Sequence, residues 1–180
     1  MAMRVSTKAH HTIWGWVGIA ASDEGLLGLT LPCISRSVAL APLLRRFLGA
    51  RQGGTPVAVA LADQLDRYFA GRTVDFRSQV LDLRLATNFQ LRVCRVVRFI
   101  PRGQVRSYRW VAEQAGSPKG ARAVGRAMAT NPFPIVVPCH RVVGQQGQLT
   151  GFGGGLGMKR RLLELEAVPT NGTRVLTVVA

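Results

Sequence analysis

The sequence predicts an α/β (α+β) protein in two parts. A small N-terminal α/β domain with a β-hairpin and sheet is followed by a mostly helical C-terminal domain with a winged-helix-like helix-turn-helix. Three observations carry this. "WGWVGIAASDEGLLGLTLP" sets two apolar runs around Ser22-Asp23-Glu24-Gly25, the pattern of a hairpin. Beyond residue 85, cap residues and apolar periodicity recur at helical spacing. The charge changes at the same place: residues 1–84 carry ten basic and six acidic side chains, and residues 85–170 carry thirteen and three. The expected division is therefore an N-terminal domain over 1–84, a C-terminal domain over 85–170 and a tail over 171–180.

In chain order, His10 and His11 lie ahead of the hairpin with no partner spacing and read as surface residues. "SVALAPLLRRFLGA" and "ALADQLDRYFAG" read as helices, the second closed by Gly71. "VDFRSQVLDLRL" reads as extended and leads into the boundary. Thr87 with Gln90 forms a capping box. Phe89, Val93, Val96, Val97 and Ile100 then share one helical face, Arg92, Arg95 and Arg98 another, and Pro101 stops the helix. Ser107 caps "YRWVAEQA", which ends at Gly116. Ser117, with Pro118 behind it, is expected to cap the next helix. There Ala121, Val124, Gly125 and Met128 make a face of small and apolar residues, and Arg122 and Arg126 point another way. Two short helices joined by a tight turn, the second bearing arginines, form a helix-turn-helix pattern.

At 180 residues and 47% hydrophobic content the chain can bury a core, which excludes global disorder. No apolar run approaches the roughly 20 residues of a membrane helix. The N-terminal segment lacks a clean cleavage site and reads as no signal peptide. Cys33, Cys94 and Cys139 are odd in number and far apart, which suggests a reducing cytoplasm rather than a disulfide framework. The chain has 24 Lys+Arg against nine Asp+Glu, net +15, and only three of the 24 are lysines. An arginine surplus concentrated in the second half favours a polyanionic partner, nucleic acid first. A general arginine bias explains the scarcity of lysine, and explains the asymmetry less well.

The chemistry concentrates in "PIVVPCHRVVG". An apolar run reads as a buried strand ending at an edge, with Cys139, His140 and Arg141 at its end. A cysteine is a nucleophile as the thiolate, which an adjacent histidine or arginine stabilises. Cys33 and Cys94 read as structural. A histidine that activates a thiol needs an orienting group. In "MKRRLLELEAV", Glu164 is spaced to pair with Arg160 and Arg161 on a solvated face. Glu166 falls on the apolar side, where a carboxylate is costly unless hydrogen-bonded, so it is the candidate partner of His140. The alternative for Glu166 is a capping or surface role at a helix end.

"NPFPIVVPCHRVVG", preceded by "GARAVGRAMAT" and followed by "LTGFGGGLGMKRRLLELE", resembles the methylated-DNA–protein-cysteine methyltransferases, the O6-alkylguanine-DNA alkyltransferases. "LDRYFAGR", "LDLRLATNFQ" and "IPRGQVRSY" fit the same family, so the resemblance is detailed from about residue 61 to 168; residues 1–60 match only in general layout. It implies direct repair of O6-alkylguanine, and of O4-alkylthymine as a further possibility, by one irreversible transfer of the alkyl group to Cys139, with no cofactor. His140, through a water, and Glu166 would activate the thiol. Asn131 would hold backbone around the site, and Tyr108 would give a proton or hydrogen bond to guanine N3. The partner would be double-stranded DNA, entered from the minor groove by a monomer in the cytoplasm. Arg122 would fill the place of the flipped nucleotide, with a phosphate contact as its alternative, and Arg126 would contact phosphate. Ala123 and Ala127 would permit close approach, and Ser107 would join the DNA contact. Met128, Val142, Phe152, Gly153 and Gly154 would line the pocket, the last three as a lid; glycine at 153 departs from relatives with serine. Some relatives hold a structural zinc, for which Cys33, His10 and His11 are too few, so no metal is expected. The rivals are a DNA binder that senses lesions without transfer, and a thiol hydrolase using Cys139 and His140. Cys139 argues against the first, and the adjacency of the two residues against the second.

Overall fold

The structure is a computed structural model and describes residues 3–178. The chain divides into two compact units, Met1–Leu85 with Pro132–Pro134, and Ala86–Asn131 with Ile135–Ala180. The first unit is a sheet with helices. Its strands are β1 (Val5–Thr12), β2 (Gly15–Ser22), β3 (Gly25–Leu29) and a short β4 (Arg51–Gln52). They run in the order β3-β2-β1-β4, antiparallel except for the parallel β1–β4 pair. The expected hairpin is β2–β3, with Ser22 opposite Gly25. β1 was not expected; it reads "VSTKAHHT", β-branched and polar residues with little apolar alternation. His10 sits on it and is no bare surface residue: its Nε2 lies 2.9 Å from both oxygens of Asp66.

Helix α1 (Arg36–Arg46) crosses the sheet where β2 carries Gly18, at which a Cβ would collide with the Ala39 carbonyl. Helix α2 (Pro56–Phe69) has Thr55 as N-cap, and Gly71 follows it at φ 81°. The stretch expected to be extended after α2 is mostly irregular. It forms a 3-10 turn at Phe76–Ser78 and a single bridge, Leu81 to Leu26. Asp82 anchors its end: the carboxylate accepts from Ser22 Oγ at 2.6 Å and from Arg84 Nε at 2.9 Å, while Arg84 also reaches Glu24 at 3.2 Å.

The second unit begins with α3 (Asn88–Arg98), and both bonds of its capping box form, Thr87 N to Gln90 Oε1 at 2.9 Å and Gln90 N to Thr87 Oγ1 at 3.3 Å. Val93, Cys94 and Val97 are its buried residues. The two-residue strand β5 (Arg106–Ser107) leads into α4 (Tyr108–Gln114), capped by Ser107 Oγ on Trp110 N at 3.0 Å. The next helix, α5 (Ala121–Ala129), starts later than expected. Its N-cap is Gly120, with no side-chain bond, so Ser117 and Pro118 lie in the preceding turn. Its buried residues are Val124, Ala127 and Met128. Ala127 therefore faces the core and not the side that carries exposed Arg122 and Arg126, whereas Ala123 is half-buried; Ala121 and Gly125 are also half-buried rather than packed. After a 3-10 turn at Cys139–Arg141, β6 (Val142–Val143) pairs in parallel with β5, and α6 (Gly155–Leu165) follows.

The segment expected as a separate tail belongs to this unit. Arg174 bridges to Gln148 and Val175 to Thr170, and Val175 is buried with Val105, Val143, Leu149, Leu163 and Val168. Among the described residues, no helix is long and apolar enough to cross a membrane.

The hydrogen bonds of Arg84, aided by Ser22 and opposed by burial, hold the Asp82 carboxyl down at about 2. A folded-state value below the ordinary one gives stability that is complete above about pH 4 and is lost as pH falls toward 2. Asp82→Asn is expected to cost on the order of 1–2 kcal/mol at pH 7. Thermal unfolding followed by circular dichroism should show that gap narrowing as the pH is lowered through this window. A gap independent of pH would exclude the charged cluster as its source.

Candidate active site

The site is built on residues 131–143. The apolar run ahead of Cys139 is not a strand ending at an edge but a buried turn. Ile135 sits in it at φ 74°, a conformation β-branched residues rarely adopt. Such strain costs on the order of 1–3 kcal/mol and needs a clamp. Asn131 Nδ2 donates to the Val137 carbonyl at 2.8 Å and lies 3.1 Å from Cys139 Sγ. One amide nitrogen, with two N–H bonds, thus serves both the turn and the thiol.

The turn passes directly into the 3-10 segment Cys139–Arg141, closed by Arg141 N on the Pro138 carbonyl at 2.9 Å and by Val142 N on the Cys139 carbonyl. At three residues per turn, neighbouring side chains leave the backbone about 120° apart. This separates the work of three consecutive residues. Cys139 meets Asn131. His140 and Arg141 both meet Glu166, which caps the C-terminus of α6.

His140 Nε2 lies 2.9 Å from Glu166 Oε1. Arg141 donates from Nε to Oε2 and from Nη2 to Oε1, each at 2.8 Å, and from Nη1 to the Ile100 carbonyl at 2.6 Å. The four side chains are nearly sealed: exposure is 4% for Cys139, 0% for His140, 8% for Arg141 and 2% for Glu166. Burial alone would raise the Glu166 carboxyl, but His140 and Arg141 outweigh it and hold the group well below the usual carboxylate range. Burial pushes His140 the other way, below its ordinary value, so the ring is neutral at neutral pH. A neutral ring facing a carboxylate carries its hydrogen on Nε2 and keeps Nδ1 as the basic nitrogen. The cation that balances the Glu166 carboxylate is Arg141, not the neutral histidine.

Glu164, the rejected carboxylate, is exposed. It takes Thr170 Oγ1 at 3.1 Å and lies 3.9 Å from Arg160. The expectation that Arg141 stabilises the thiol needs correction, because its guanidinium is committed to Glu166. The cation that acts on the thiol is Lys159, which sequence reasoning passed over. Burial pushes the Cys139 thiol above its ordinary value, and the Asn131 hydrogen bond and the charge of Lys159 offset only part of that rise. Lys159 is fully buried, with Nζ on the carbonyls of Val142 at 2.6 Å and Thr150 at 3.0 Å. One signal could have found it: Lys159 precedes Leu162 and Leu163 by three and four residues, on the apolar face of α6.

Tyr108 opens α4, half-buried, with Lys159 Nζ 5.7 Å from its ring centre. Burial raises its hydroxyl, against a hydrogen bond with the Thr150 side chain, so it is a neutral donor at neutral pH. Met128 and Val142 are buried, Phe152 half-buried, and Gly153 and Gly154 open to solvent ahead of α6. Arg122 and Arg126 are exposed on α5, with no contact to the buried cluster among those described. No group of three metal-binding side chains occurs among the described residues. What the arrangement can do is move a proton off Cys139 and hold the resulting thiolate away from water.

Residues 88–168 match the family model described as 6-O-methylguanine DNA methyltransferase, DNA binding domain. The chain is 55% identical over 104 residues to a methylated-DNA–protein-cysteine methyltransferase of Mycobacterium tuberculosis, covering 58% of this chain and 62% of that protein. It therefore spans about 62% of the length of that relative. It is 52% identical over 120 residues to the protein of the same name in Mycobacterium leprae, covering 65% of this chain and 72% of the relative. The crystal structure of Mycobacterium tuberculosis O6-methylguanine methyltransferase superposes with a TM-score of 0.74 at 38% identity, over 90% of this chain and 92% of that one.

Replacing Glu166 by Gln should leave the Arg141 guanidinium buried without a counter-charge, a loss of about 3–5 kcal/mol. Glu164→Gln removes only an exposed pair and should stay within about 0.5 kcal/mol of the parent. Denaturant unfolding of the two variants side by side makes the comparison, and equal stabilities would exclude a buried ion pair between Glu166 and Arg141 as a source of stability.

Proposed function

The chain belongs to the methylated-DNA–protein-cysteine methyltransferases, and from that premise we propose that it repairs DNA by direct reversal. It transfers a methyl or larger alkyl group from O6-alkylguanine to Cys139, once per molecule and without a cofactor. The observation that carries this reading is the Cys139 thiol, buried against Asn131 at 3.1 Å with the His140–Glu166–Arg141 chain on the neighbouring residues. In this reading His140 Nδ1 takes the thiol proton through a bridging water, and the Nε2–H bond to Glu166 stabilises the charge that develops on the ring. The thiolate attacks the alkyl carbon. The S–C bond forms as the C–O6 bond breaks, and the electron pair leaves with the base. Tyr108 gives a proton to N3, so guanine departs neutral, and the proton taken from the thiol restores the tyrosine through solvent. A thioether offers no leaving group to the next nucleophile, so the protein is consumed.

The lesion's O6 is reached by extruding the nucleotide, at a few kcal/mol of lost stacking. The exposed arginines of α5 suit this task. Arg122 would occupy the vacated place and Arg126 a phosphate, with half-buried Ala123 allowing close approach to a minor groove and Ser107 at the neighbouring helix start. A Mycobacterium tuberculosis relative with a TM-score of 0.74 was crystallised in complex with DNA, which supports DNA as the partner here. Met128 and Val142 would wall the pocket, and Phe152, Gly153 and Gly154 would cover it. A reactive thiol is preserved in a reducing compartment, so we assign the chain to the cytoplasm, as a monomer.

Label from O6-methylguanine DNA should plateau at about one equivalent, on the peptide containing Cys139. Cys139→Ala should bind DNA and transfer nothing; transfer by that variant, or turnover well beyond one equivalent, would overturn the reading. The two arginines separate by substrate. Arg126→Ala should reduce the slope of log K against log salt by about one. Arg122→Ala should slow repair of duplex DNA far more than reaction with free O6-benzylguanine, which needs no extrusion. Equal slowing on both substrates would reassign Arg122 to the pocket or the fold.

A further inference from the structure

Lys159 has no place in the relay just described, yet its position is unusual for a lysine. It is 0% exposed, among the largest fully buried side chains of the chain. Lysine is almost never fully buried unless its charge is matched. Its hydrogen bonds go to two neutral carbonyls, those of Val142 and Thr150. Among the described residues no carboxylate is placed to match it. Glu166 is engaged by His140 and Arg141, and Glu164 lies on the exposed side with Arg160 and Thr170.

The groups that face Lys159 can be named from each element packed on it. From the 3-10 turn come Cys139 and His140, both within range of its charge. From α4 comes the Tyr108 ring, 5.7 Å away. Its neighbours on α6, Arg160 and Arg161, are exposed. The backbone links are short: Val142 donates its N–H to the Cys139 carbonyl and accepts Lys159 on its own carbonyl. Of these groups Cys139 is the one whose anion the proposed alkyl transfer requires, since Tyr108 is held protonated and His140 neutral.

We infer that the Lys159 ammonium is the resident counter-charge of the Cys139 thiolate, a positioning residue that forms a buried ion pair with the acceptor and loses its partner when Cys139 is alkylated. The inference rests on Cys139 being the reactive acceptor. It adds a second device to the His140 relay: the relay removes the proton, and Lys159 makes the charge left behind tolerable in a dry site. It also gives alkylation an electrostatic consequence. Thiolate becomes neutral thioether, and a buried ammonium is left with two carbonyls alone. Burial already draws Lys159 down to about 8, and the charge of Cys139 raises it against that trend. Removing that charge lowers it further, so the product sheds the Lys159 proton more readily than the unreacted chain.

The test titrates Cys139 without DNA or alkylguanine. Iodoacetamide modification of the Cys139 peptide is followed by mass spectrometry from pH 5 to 10 in the parent, Lys159→Met and Lys159→Arg. In Lys159→Met the midpoint should rise by about one unit or more, so that the rate at pH 7 falls about tenfold and recovers at high pH. Lys159→Arg should lie between. An unshifted midpoint in folded Lys159→Met overturns the inference, as does slowing by the same factor at every pH. Should Lys159→Met not fold, the parent chain decides: the Lys159 titration is followed by NMR before and after S-methylation of Cys139 with methyl iodide. A lower midpoint after methylation supports the pair, and an unchanged one overturns it. Failure of label transfer from methylated DNA would sink the proposed repair activity and leave this titration standing.

Discussion

A carboxylate cut off from water organises the second unit. Glu166 is almost fully buried, and a charge in that setting is tolerated only when every lone pair is used. His140 supplies a neutral N–H, and Arg141 supplies two more and the balancing charge. Arg141 then has one amino group left, which it spends on the Ile100 carbonyl just past α3. Arg102 donates to the Leu165 carbonyl, beside Glu166, at 2.6 Å. The end of α3, the 3-10 turn and the end of α6 are thus tied at one ionic centre. The orientation of His140, on which proton removal depends, follows from the need to satisfy that centre.

The second constraint is conformational. Ile135 at φ 74° is held by packing at 1% exposure and by the Asn131 clamp two residues further on. The turn delivers Cys139 at the start of a 3-10 segment, where a single residue step changes direction sharply. That is how a thiol and its base can be adjacent in sequence and still serve different neighbours. A regular strand would have sent Cys139 and His140 to opposite faces of a sheet, with Arg141 back on the face of the cysteine.

Much of this was legible in the sequence, for identifiable reasons. The hairpin β2–β3, the capping box at Thr87 and the cap at Ser107 are local devices whose signals lie within a few residues. Glu166 could be chosen over Glu164 because burial of a carboxylate leaves a periodicity signature. The missed features depend on distant residues. β1 has too few large apolar side chains to announce itself, and earns its place by pairing along its whole length with β2. The run before Cys139 is apolar enough for a strand, and nothing local reports that Asn131 folds it into a turn. The roles of Arg141 and Lys159 were hidden because buried cations use the same letters as solvated ones. Ser117 and Pro118 carry a good helix-start signal that the chain does not use, since α5 begins at Ala121.

The shortest sheet in the molecule sets the spacing of the reactive groups. β5 and β6 exchange only two residue pairs, Arg106 with Val142 and Ser107 with Val143. Tyr108 is the first residue beyond one strand, and Cys139 lies three residues before the other. Main-chain register therefore fixes where the Tyr108 and Cys139 backbones stand relative to each other. Ser107 and Val143 keep side-chain tasks of their own, the cap of α4 and a place in the core, but the spacing depends on the length of the ladder. A single inserted or deleted residue on either strand would slide the two reactive atoms past each other while leaving every helix intact.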